Sequence, residues 1–402
     1  MKPIGSLIPL DKAMKICFNE IKEIDSEERI PLGEATGRVV SQDIVSSVNV
    51  PPFARSAMDG YAVLSQNTFG AGQYEPVKLK CLEKIHAGGQ PSFSIKSGEC
   101  SQIATGAMVP EGADSVVMVE HTELEGEDIL IYKPVYPGQH ISPAGEDVKL
   151  GDIVLRREDV LSPARIGVLA ALGLCEVKVF NRPSAVIIPT GNEVRPLGSK
   201  LEEGQIYDVN SHTLQATLNL HGAVSVIHKE IVEDEIEKVE EAIKLYEGFD
   251  FIIFSGGSSV GERDVLIEAI KKHGEVLFHG IAVKPGKPTL FGRINKSLVF
   301  GMPGNPASCL SNAYIMLVPL IRKMARLPGV HLNKVTLPLS KRIVSTLGRH
   351  QFLTVKIISG EVEPAFKSSG AITSLSSADG YIEIPALVDL IEKGEIVEVI
   401  LF

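Results

Sequence analysis

Three glycine-rich segments in the second half of the chain have the composition of a phosphate-binding site. They are TGNE at 190–193, SGGSSVGERD at 255–264 and GMPGNP at 301–306. Glycine allows the backbone to approach phosphate oxygens closely, and serine hydroxyls before a helix add hydrogen-bond donors. One such segment is often an ordinary turn, whereas three at successive strand ends favour phosphate binding. The residues of the central segment predicted to bind phosphate are Ser255, Gly256, Gly257, Ser258, Ser259 and Gly261.

Carboxylates recur beside these segments, at Glu193, Asp208, Asp234 and Asp264. Acidic side chains next to a bound phosphate usually hold Mg²⁺, because they would otherwise repel the ligand. Asp234 and Asp208 have an equally good interpretation as helix caps. Glu193 and Asp264 are therefore the stronger Mg²⁺ candidates.

The segment KPGKP at 284–288 places two ammonium groups, those of Lys284 and Lys287, on a turn stiffened by two prolines. Such a turn could hold a multiply charged oxyanion at little entropic cost, although a solvated turn explains the pattern as well. The P-loop pattern GxxxxGK[ST] is absent, and these segments lack GxGxxG spacing. ATP-driven P-loop chemistry is therefore not expected.

Two segments of the N-terminal half also contain small and polar residues in turns. They are PPFARSAMDGYAV at 51–63 and IATGAMVPEGADSVVMVEH at 103–121. By pattern alone both are loops leading into strands, although Thr105 could contact a ligand.

The elements that must position these residues follow from periodicity. Met14, Cys17, Phe18, Ile21 and Ile24 predict an amphipathic opening helix, with Asp11 as its cap. Residues 29–151 alternate with period two and predict a mainly β region. The last 70 or so residues have the same period and predict a small β domain.

Between these β regions, apolar strands alternate with helices, as in βαβ units. Strands are predicted at 185–188, 223–227 and 251–254, and helices at 210–220, between 234 and 248, at 265–273 and at 307–325. Ligands of such sheets bind beyond the carboxyl ends of the strands, where the three glycine-rich segments are predicted to lie.

Composition limits the class of protein. The 402 residues are 44% hydrophobic and 22% charged, which fits a globular chain of two to four domains. A net charge of −10 gives no footprint for nucleic acid. Five widely spaced cysteines indicate a reducing compartment rather than a disulfide framework or zinc site. With no signal peptide pattern and no apolar run of about 20 residues, we expect a cytoplasmic protein that does not contact membranes.

Taken together, seven strings resemble the molybdopterin molybdenumtransferase family, which includes the MoeA proteins and the gephyrin E domain. The resemblance runs almost end to end, through SAMDGYA, IATGAMVPEGADSVVMVE, TGNE with GQIYDVN, SGGSSVGERD, KPGKP, GMPGNPAS and SSGAITSLSSADGYIEIP. It implies a multidomain α+β and α/β fold in an elongated subunit, with a β-rich N-terminal region, a MogA-like α/β domain and a C-terminal β-barrel. The implied domains are a discontinuous helical linker (1–28 plus 141–180), a β-rich domain (29–140), the α/β domain (181–328) and the barrel (329–402).

The family activity implied is insertion of molybdate, or tungstate, into molybdopterin-AMP with Mg²⁺ and release of AMP. The resemblance also implies a homodimer that makes transient contact with the molybdopterin adenylyltransferase. Two alternatives are the adenylyltransferase activity itself and a non-catalytic molybdopterin-binding scaffold. The adenylyltransferases resemble only the α/β domain, which weighs against the first alternative.

The resemblance assigns roles residue by residue. Asp59 and Thr105 of a partner subunit would face Glu193, Asp234 and Asp264 across the catalytic cleft, with Glu193 and Asp264 holding Mg²⁺. The pterin nucleotide would contact the SGGSSVG segment together with Pro303, Asn305 and Pro306. Molybdate would be bound by Lys284, Lys287, Pro288, Arg349 and Ser369.

Three positions depart from the usual family pattern. Ala54 and Arg55 stand where an acidic residue is common, and Asn192 stands where Asp is frequent. These departures leave the assigned residues in place.

Overall fold

A computed structural model describes residues 7–228, 230–256 and 265–402. The chain divides into two compact units. One contains Arg29–Val179, and the other combines Met1–Glu28 with Phe180–Phe402. The four predicted domain boundaries stay predictions.

The opening helix, α1, spans Leu10–Glu20 and packs the fully buried Ala13 and Cys17 against the α/β core. The predicted Asp11 cap is wrong, because Pro9 occupies the N-cap position and Asp11 lies inside the first turn. The carbonyl oxygen of Pro9 accepts the first helical bond, from the Ala13 amide at 3.0 Å. A proline suits this position, where a backbone N–H is not needed.

Residues 27–180 contain twelve strands, which confirms the mainly β prediction. Strands β4 to β9 form a sheet of order β7-β4-β6-β5-β9-β8, in which only the pair β5 and β6 is parallel. Helix α2 spans Pro163–Ala171, and short 3₁₀ turns lie at Leu32–Glu34, Ser65–Thr68 and Val119–His121. The strands are β1 Glu27–Pro31, β2 Ile44–Val45, β3 Arg55–Ser56, β4 Gly60–Val63, β5 Val77–Ile85, β6 Glu99–Ile103, β7 Ser115–Met118, β8 Thr122–Glu125, β9 Asp128–Ile131, β10 Ile141–Ser142, β11 Ile153–Leu155 and β12 Glu176–Phe180.

The α/β region that follows is built on a six-stranded sheet of order β16-β13-β17-β21-β20-β18. The first four strands in this order are parallel, and β20 and β18 complete one edge antiparallel. The strands of the whole region, of which β14, β15 and β19 lie outside this sheet, are β13 Ser184–Pro189, β14 Val194–Arg195, β15 Ile206–Tyr207, β16 Val224–Ile227, β17 Phe251–Ser255, β18 Glu275–His279, β19 Val283–Lys284, β20 Leu290–Ile294 and β21 Ser297–Met302. The helices are α3 Asn210–Leu220, α4 Ile236–Leu245, α5 Val265–His273, α6 Pro306–Asn312 and α7 Val318–Met324.

Strands β13 and β17 are apolar over residues 185–189 and 251–254 because helices cover both faces of the sheet. Ile187 and Ile253 contribute to one buried cluster, and their neighbours Val186 and Ile252 contribute to the cluster on the opposite face. A continuous apolar run is typical of a strand buried in this way. The βαβ prediction is thus confirmed.

The helix predicted at 307–325 is interrupted. A π-helical segment, Ala313–Leu317, joins α6 to α7, and the amide of Val318 donates to the carbonyl oxygen of Ala313. Pro319 explains the interruption, because a proline has no amide to donate and its ring crowds the preceding turn.

The C-terminal region forms a sheet of order β19-β24-β26-β28-β22, to which β25 adds beside β24. Val355, Ile382, Ile384 and Val399 form the centre of its core. Its first strand, β19, belongs to the KPGKP segment, so this sheet includes a strand from the α/β region. The remaining elements are β22 Lys334–Pro338, β23 Ile343–Val344, β24 His350–Ile358, β25 Glu361–Pro364, helix α8 Thr373–Ser376, β26 Gly380–Ile384, β27 Leu390–Ile391 and β28 Ile396–Leu401.

Within the described parts of the chain, no helix has the length and apolar character needed to cross a membrane.

Candidate active site

Three neighbouring parallel strands end level with one another. Pro189 of β13 pairs with Ser255 of β17, and Ser255 pairs with Met302 of β21. The TGNE, SGGSSVGERD and GMPGNP segments therefore begin side by side at the carboxyl edge of the sheet. This edge is where open α/β sheets bind their ligands.

Gly256 lies at the centre of this edge and has a φ of +116°. A Cβ atom there would lie 2.7 Å from the carbonyl oxygen of Thr190, and one on Gly304 would lie 3.8 Å from the Gly256 Cα. The first distance is shorter than a van der Waals contact, so only glycine fits without displacement. Thr190 Oγ1 is buried, and no described residue hydrogen-bonds to it. Together these features leave a small polar surface between the three segments.

Buried polar side chains contact two of the three glycine-rich segments at this edge of the sheet. The hydroxyls of Ser211 and Ser255 lie 3.3 Å apart, and Asn210 Nδ2 donates to the Gly304 carbonyl oxygen at 2.9 Å. Asp208 Oδ1 accepts from the Ser211 amide at 3.0 Å, so its helix-cap interpretation is supported. Asn210 and Ser211 thus contact two of the three glycine-rich segments.

Glu193 and Asp234 bring two negative charges together beside the TGNE segment. Burial of the Asp234 carboxyl group raises its pKa, and the negative charge of Glu193 raises it further. The residue as a whole is exposed. A groove of about 550 Å³ passes Gly191, Asn192 and Asp234. The cap interpretation of Asp234 is wrong, since Glu235 occupies the N-cap position of α4 and no side chain caps that helix.

The donor set suits Mg²⁺, because carboxylate oxygens are its preferred protein ligands. Among the described residues, no three His, Cys, Asp or Glu side chains form a group that could hold a metal ion. Glu193 and Asp234 are therefore the two carboxylates available to a cation here, and no third carboxylate among the described residues joins them. Asp264, the other predicted Mg²⁺ ligand, lies outside the described residues, as do Gly257, Ser258, Ser259 and Gly261.

The KPGKP turn is held rigidly from within the protein. Gly286 has a φ of +105°, and its carbonyl oxygen accepts from Asn312 Nδ2 at 2.9 Å and from Thr289 Oγ1 at 3.0 Å. Asn312 occupies the space where a Cβ on residue 286 would lie, with Nδ2 at 2.3 Å from that position. Both predicted lysines, Lys284 and Lys287, and Pro288 are half-buried at this turn.

Arg349 lies next to this turn, whereas Ser369 contacts a different segment. The amide of His350, which follows Arg349, donates to the Ala282 carbonyl oxygen at 2.8 Å. Ser369 Oγ accepts from Asn305 Nδ2 at 3.1 Å. Of the molybdate candidates, the turn and Arg349 are therefore close in the fold, and Ser369 lies with the predicted nucleotide residues.

The residues predicted in the GMPGNP segment differ in exposure. Pro303 is buried, Pro306 is half-buried at the start of α6, and Asn305 is exposed. Asn305 is thus exposed beside Ser369, its hydrogen-bond partner, whereas Pro303 is enclosed by the protein.

In the other unit, Asp59 and Thr105 meet directly. The Thr105 amide donates to Asp59 Oδ1 at 2.7 Å, and both side chains are exposed. This backbone hydrogen bond, with a second from the Thr105 side chain, lowers the pKa of Asp59. Asp59 therefore carries a stable negative charge on the surface of this unit.

Two contributors were missed by the sequence analysis, Thr190 and Asn312. Thr190 is the first residue of TGNE and could have been identified from that motif. Asn312 gives no sequence signal, since it lies inside an apolar helix and acts through a turn distant in the chain.

Comparisons with known proteins cover almost the whole chain. A model of the MoeA N-terminal region (domains I and II) matches residues 8–173. A model of a molybdopterin-binding domain matches residues 186–323, and a model of the MoeA C-terminal region (domain IV) matches residues 336–402.

Individual relatives agree with these matches. A Haemophilus influenzae protein named molybdopterin molybdenumtransferase is 37% identical over 79% of this chain and 78% of its own. A Methanocaldococcus jannaschii protein named for molybdopterin biosynthesis is 37% identical over the full length of both chains. The crystal structure of a molybdopterin biosynthesis MoeA protein from Pyrococcus horikosii has a TM-score of 0.85 and 38% identity, covering 98% of this chain and 99% of that one.

Proposed function

Because the chain belongs to the MoeA family of molybdopterin molybdenumtransferases, we propose that it inserts molybdate into adenylylated molybdopterin and releases AMP. Its role in molybdenum cofactor biosynthesis follows from the family. The observation that carries the finer proposal is the meeting of three glycine-rich segments around Gly256, at the level where β13, β17 and β21 end.

The pterin nucleotide is placed at this edge. Gly256 and Gly304 let its phosphates approach the backbone, and Thr190 Oγ1, to which no described residue hydrogen-bonds, offers a hydroxyl there. Asn305 and Ser369, already hydrogen-bonded to each other, add an exposed polar rim. These residues bind and orient the substrate before any bond changes.

Release of AMP is hydrolysis of the phosphoanhydride, in which water adds to one phosphorus and the other phosphate leaves. No protein nucleophile is needed. Glu193 and Asp234 would hold Mg²⁺, with Asp264 as a further ligand, and the ion would supply positive charge to the phosphates. Without a cation the two carboxylates oppose each other, which the raised pKa of Asp234 expresses.

Molybdate is placed at the KPGKP turn. Lys284, Lys287 and Arg349 supply positive charge in a protein whose net charge is −10. The Asn312 hydrogen bond to Gly286 keeps the turn in one conformation, so that little ordering is required on binding. Tungstate has the same shape and charge and is expected to bind there too.

The proposal is tested with purified protein, molybdopterin-AMP and Mg²⁺, by measuring AMP release with and without molybdate. Molybdate-dependent release is expected, and Glu193→Gln together with Asp234→Asn should abolish it. AMP release that ignores molybdate would contradict insertion coupled to hydrolysis. ATP consumption in the absence of molybdate would instead favour the adenylyltransferase activity.

We also infer that the enzyme is a homodimer with shared sites, in which Asp59 and Thr105 act on the substrate bound by a second copy. Mixing Asp59→Ala protein with Asp234→Asn protein, each inactive alone, should then restore about a quarter of wild-type activity after subunit exchange. No recovery despite verified exchange would place both residues in the site of a single subunit.

A further inference from the structure

Two cysteines that are distant in the sequence are direct neighbours in the unit formed by Arg29–Val179. Cys81 of β5 and Cys100 of β6 are register partners in the parallel pair. Both side chains belong to the same buried cluster, together with Tyr61 and Leu79, and therefore lie on one face of the sheet. Adjacent strands are about 4.8 Å apart, within the Cα separation of about 4.4–6.8 Å that a disulfide spans.

The two thiols are in contact and reduced. Each side chain shifts the pKa of the other, and both cysteines are free. The pKa of the nearby Tyr61 phenol is raised mainly by burial and, to a smaller extent, by the charges of Cys81 and Cys100. The register thus brings the two side chains together on adjacent strands.

The two sulfurs differ in access. Pairing of β5 with β9 ends at Lys80 and Asp128, and the register of β5 against β6 shifts just after Cys81. Cys81 is half-buried at this irregular edge, whereas Cys100 is completely buried. An oxidant can therefore reach Cys81 and not Cys100.

The pKa values of the two thiols are also shifted in opposite directions. Interaction with Cys100 lowers the pKa of the Cys81 thiol, and interaction with Cys81 together with burial raises the pKa of Cys100. Cys81 is therefore the more acidic thiol of the pair, and thiolates are the nucleophiles of disulfide exchange.

We propose that Cys81 and Cys100 form a redox-modification site that closes reversibly to an intrachain disulfide on reaction with a low-molecular-weight disulfide. The Cys81 thiolate attacks one sulfur of that disulfide, forming a mixed disulfide and expelling the first small thiolate. Cys100 then loses its proton, attacks the Cys81 sulfur and expels the second. Two electrons pass from the cysteine sulfurs to the small disulfide, which leaves as two thiols.

The site lies on the strand that leads to a predicted catalytic residue. β6 ends at Ile103, two residues before Thr105, and the Ala104 amide donates to the Ile85 carbonyl oxygen of β5 at 3.0 Å. A disulfide would add a covalent link between the strands that support this loop. In a reducing compartment such a bond is transient and reports the redox state.

The test uses native protein carrying Cys175→Ser, which removes an exposed thiol that would compete. The protein is incubated with oxidised glutathione, quenched with acid, alkylated, and digested for peptide mass spectrometry. A linked peptide containing Cys81 and Cys100 is expected, with a mass about 2 Da below the sum of the two reduced peptides. Addition of dithiothreitol should abolish it.

Two further variants separate the roles. Cys81→Ser should take up no glutathione and form no link, whereas Cys100→Ser should accumulate one glutathione on Cys81. If Cys100→Ser fails to fold, the rate of alkylation in the otherwise unaltered chain replaces it, and Cys81 should react faster than Cys17, Cys100 and Cys309. A link that forms only after denaturation, or a native Cys81 that reacts no faster than those three, would overturn the proposal.

Discussion

The amide of Thr105 donates to Oδ1 of Asp59 at 2.7 Å across 46 positions of sequence. Two motifs that looked like unrelated loops thus form one polar feature on the surface of their unit. The contact holds Asp59 ionised and fixes its orientation.

This contact predicts the titration of Asp59. Because the pKa is lowered mainly by the Thr105 backbone amide and secondarily by its side chain, Thr105→Val should return the pKa only part of the way to its usual value. A carboxyl ¹³C NMR titration measures it. The lowered pKa also contributes stability that is present above the unfolded pKa of about 3.9 and is lost as the pH falls through the folded value. A Thr105→Val titration identical to wild type would show that the side chain has no part.

The pair formed by Glu193 and Asp234 predicts the opposite dependence on pH. With its pKa raised, folded Asp234 binds a proton more tightly than the unfolded chain does. The free energy of unfolding should therefore fall as the pH rises from about 3.9 through the raised pKa. Without divalent cations, Asp234→Asn should melt at a higher temperature than wild type above that window and equally below it.

Glu193→Gln is the matched control for this pair, since it removes only the second cause of the raised pKa. It should reproduce part of the effect of Asp234→Asn. Thermal melting against pH measures both variants. Mg²⁺ should stabilise the wild type and have a smaller effect on either variant, and equal stabilisation of all three would remove these residues from the cation site.

The close packing around Gly256 predicts that a larger residue at this position lowers the stability of the protein. Gly256→Ala would place a methyl group 2.7 Å from the Thr190 carbonyl oxygen at a φ of +116°, which should cost about 1–3 kcal/mol of stability. Gly329→Ala is the control, because a Cβ there meets no atom within 4 Å. Urea unfolding compares them, and equal stability of the two variants would contradict the close packing of the three segments.

Asn312 predicts an effect on the oxyanion turn. Asn312→Leu leaves the Gly286 carbonyl oxygen and Thr289 Oγ1 without the donor they share, so stability should fall by about 1–3 kcal/mol. If the turn binds molybdate, its affinity should fall as well, as measured by calorimetric titration. Lys284→Met should weaken molybdate binding with little change in stability. Unchanged affinity in both variants would move molybdate away from KPGKP.

Much of the architecture could be predicted from periodicity, because burial on both faces leaves a recognisable signature. The run at 251–254 is apolar where helices cover the sheet, and helices α3 and α5 begin and end as predicted. The misjudged positions were local. Asp11 and Asp234 have the residue type of a cap, but Pro9 and Glu235 occupy the cap positions.

The polar contacts of the site were largely beyond prediction, because they depend on strand register. Cys81 and Cys100 become neighbours only once β5 and β6 pair, and Asn312 reaches Gly286 only once α6 packs beneath the turn. The resemblance predicts catalytic roles for Asp59 and Thr105, but their mutual hydrogen bond is visible only in the fold.

The two residues of β19 pair with β24, so that Lys284 lies beside Gln351 in the C-terminal sheet. The KPGKP turn is consequently a junction between the α/β sheet and the C-terminal sheet. Swinging the C-terminal sheet away from the α/β sheet would break these backbone hydrogen bonds and dismantle the turn. Any variant that loosens the C-terminal sheet should therefore also disturb the backbone of Lys284 and the turn that follows it.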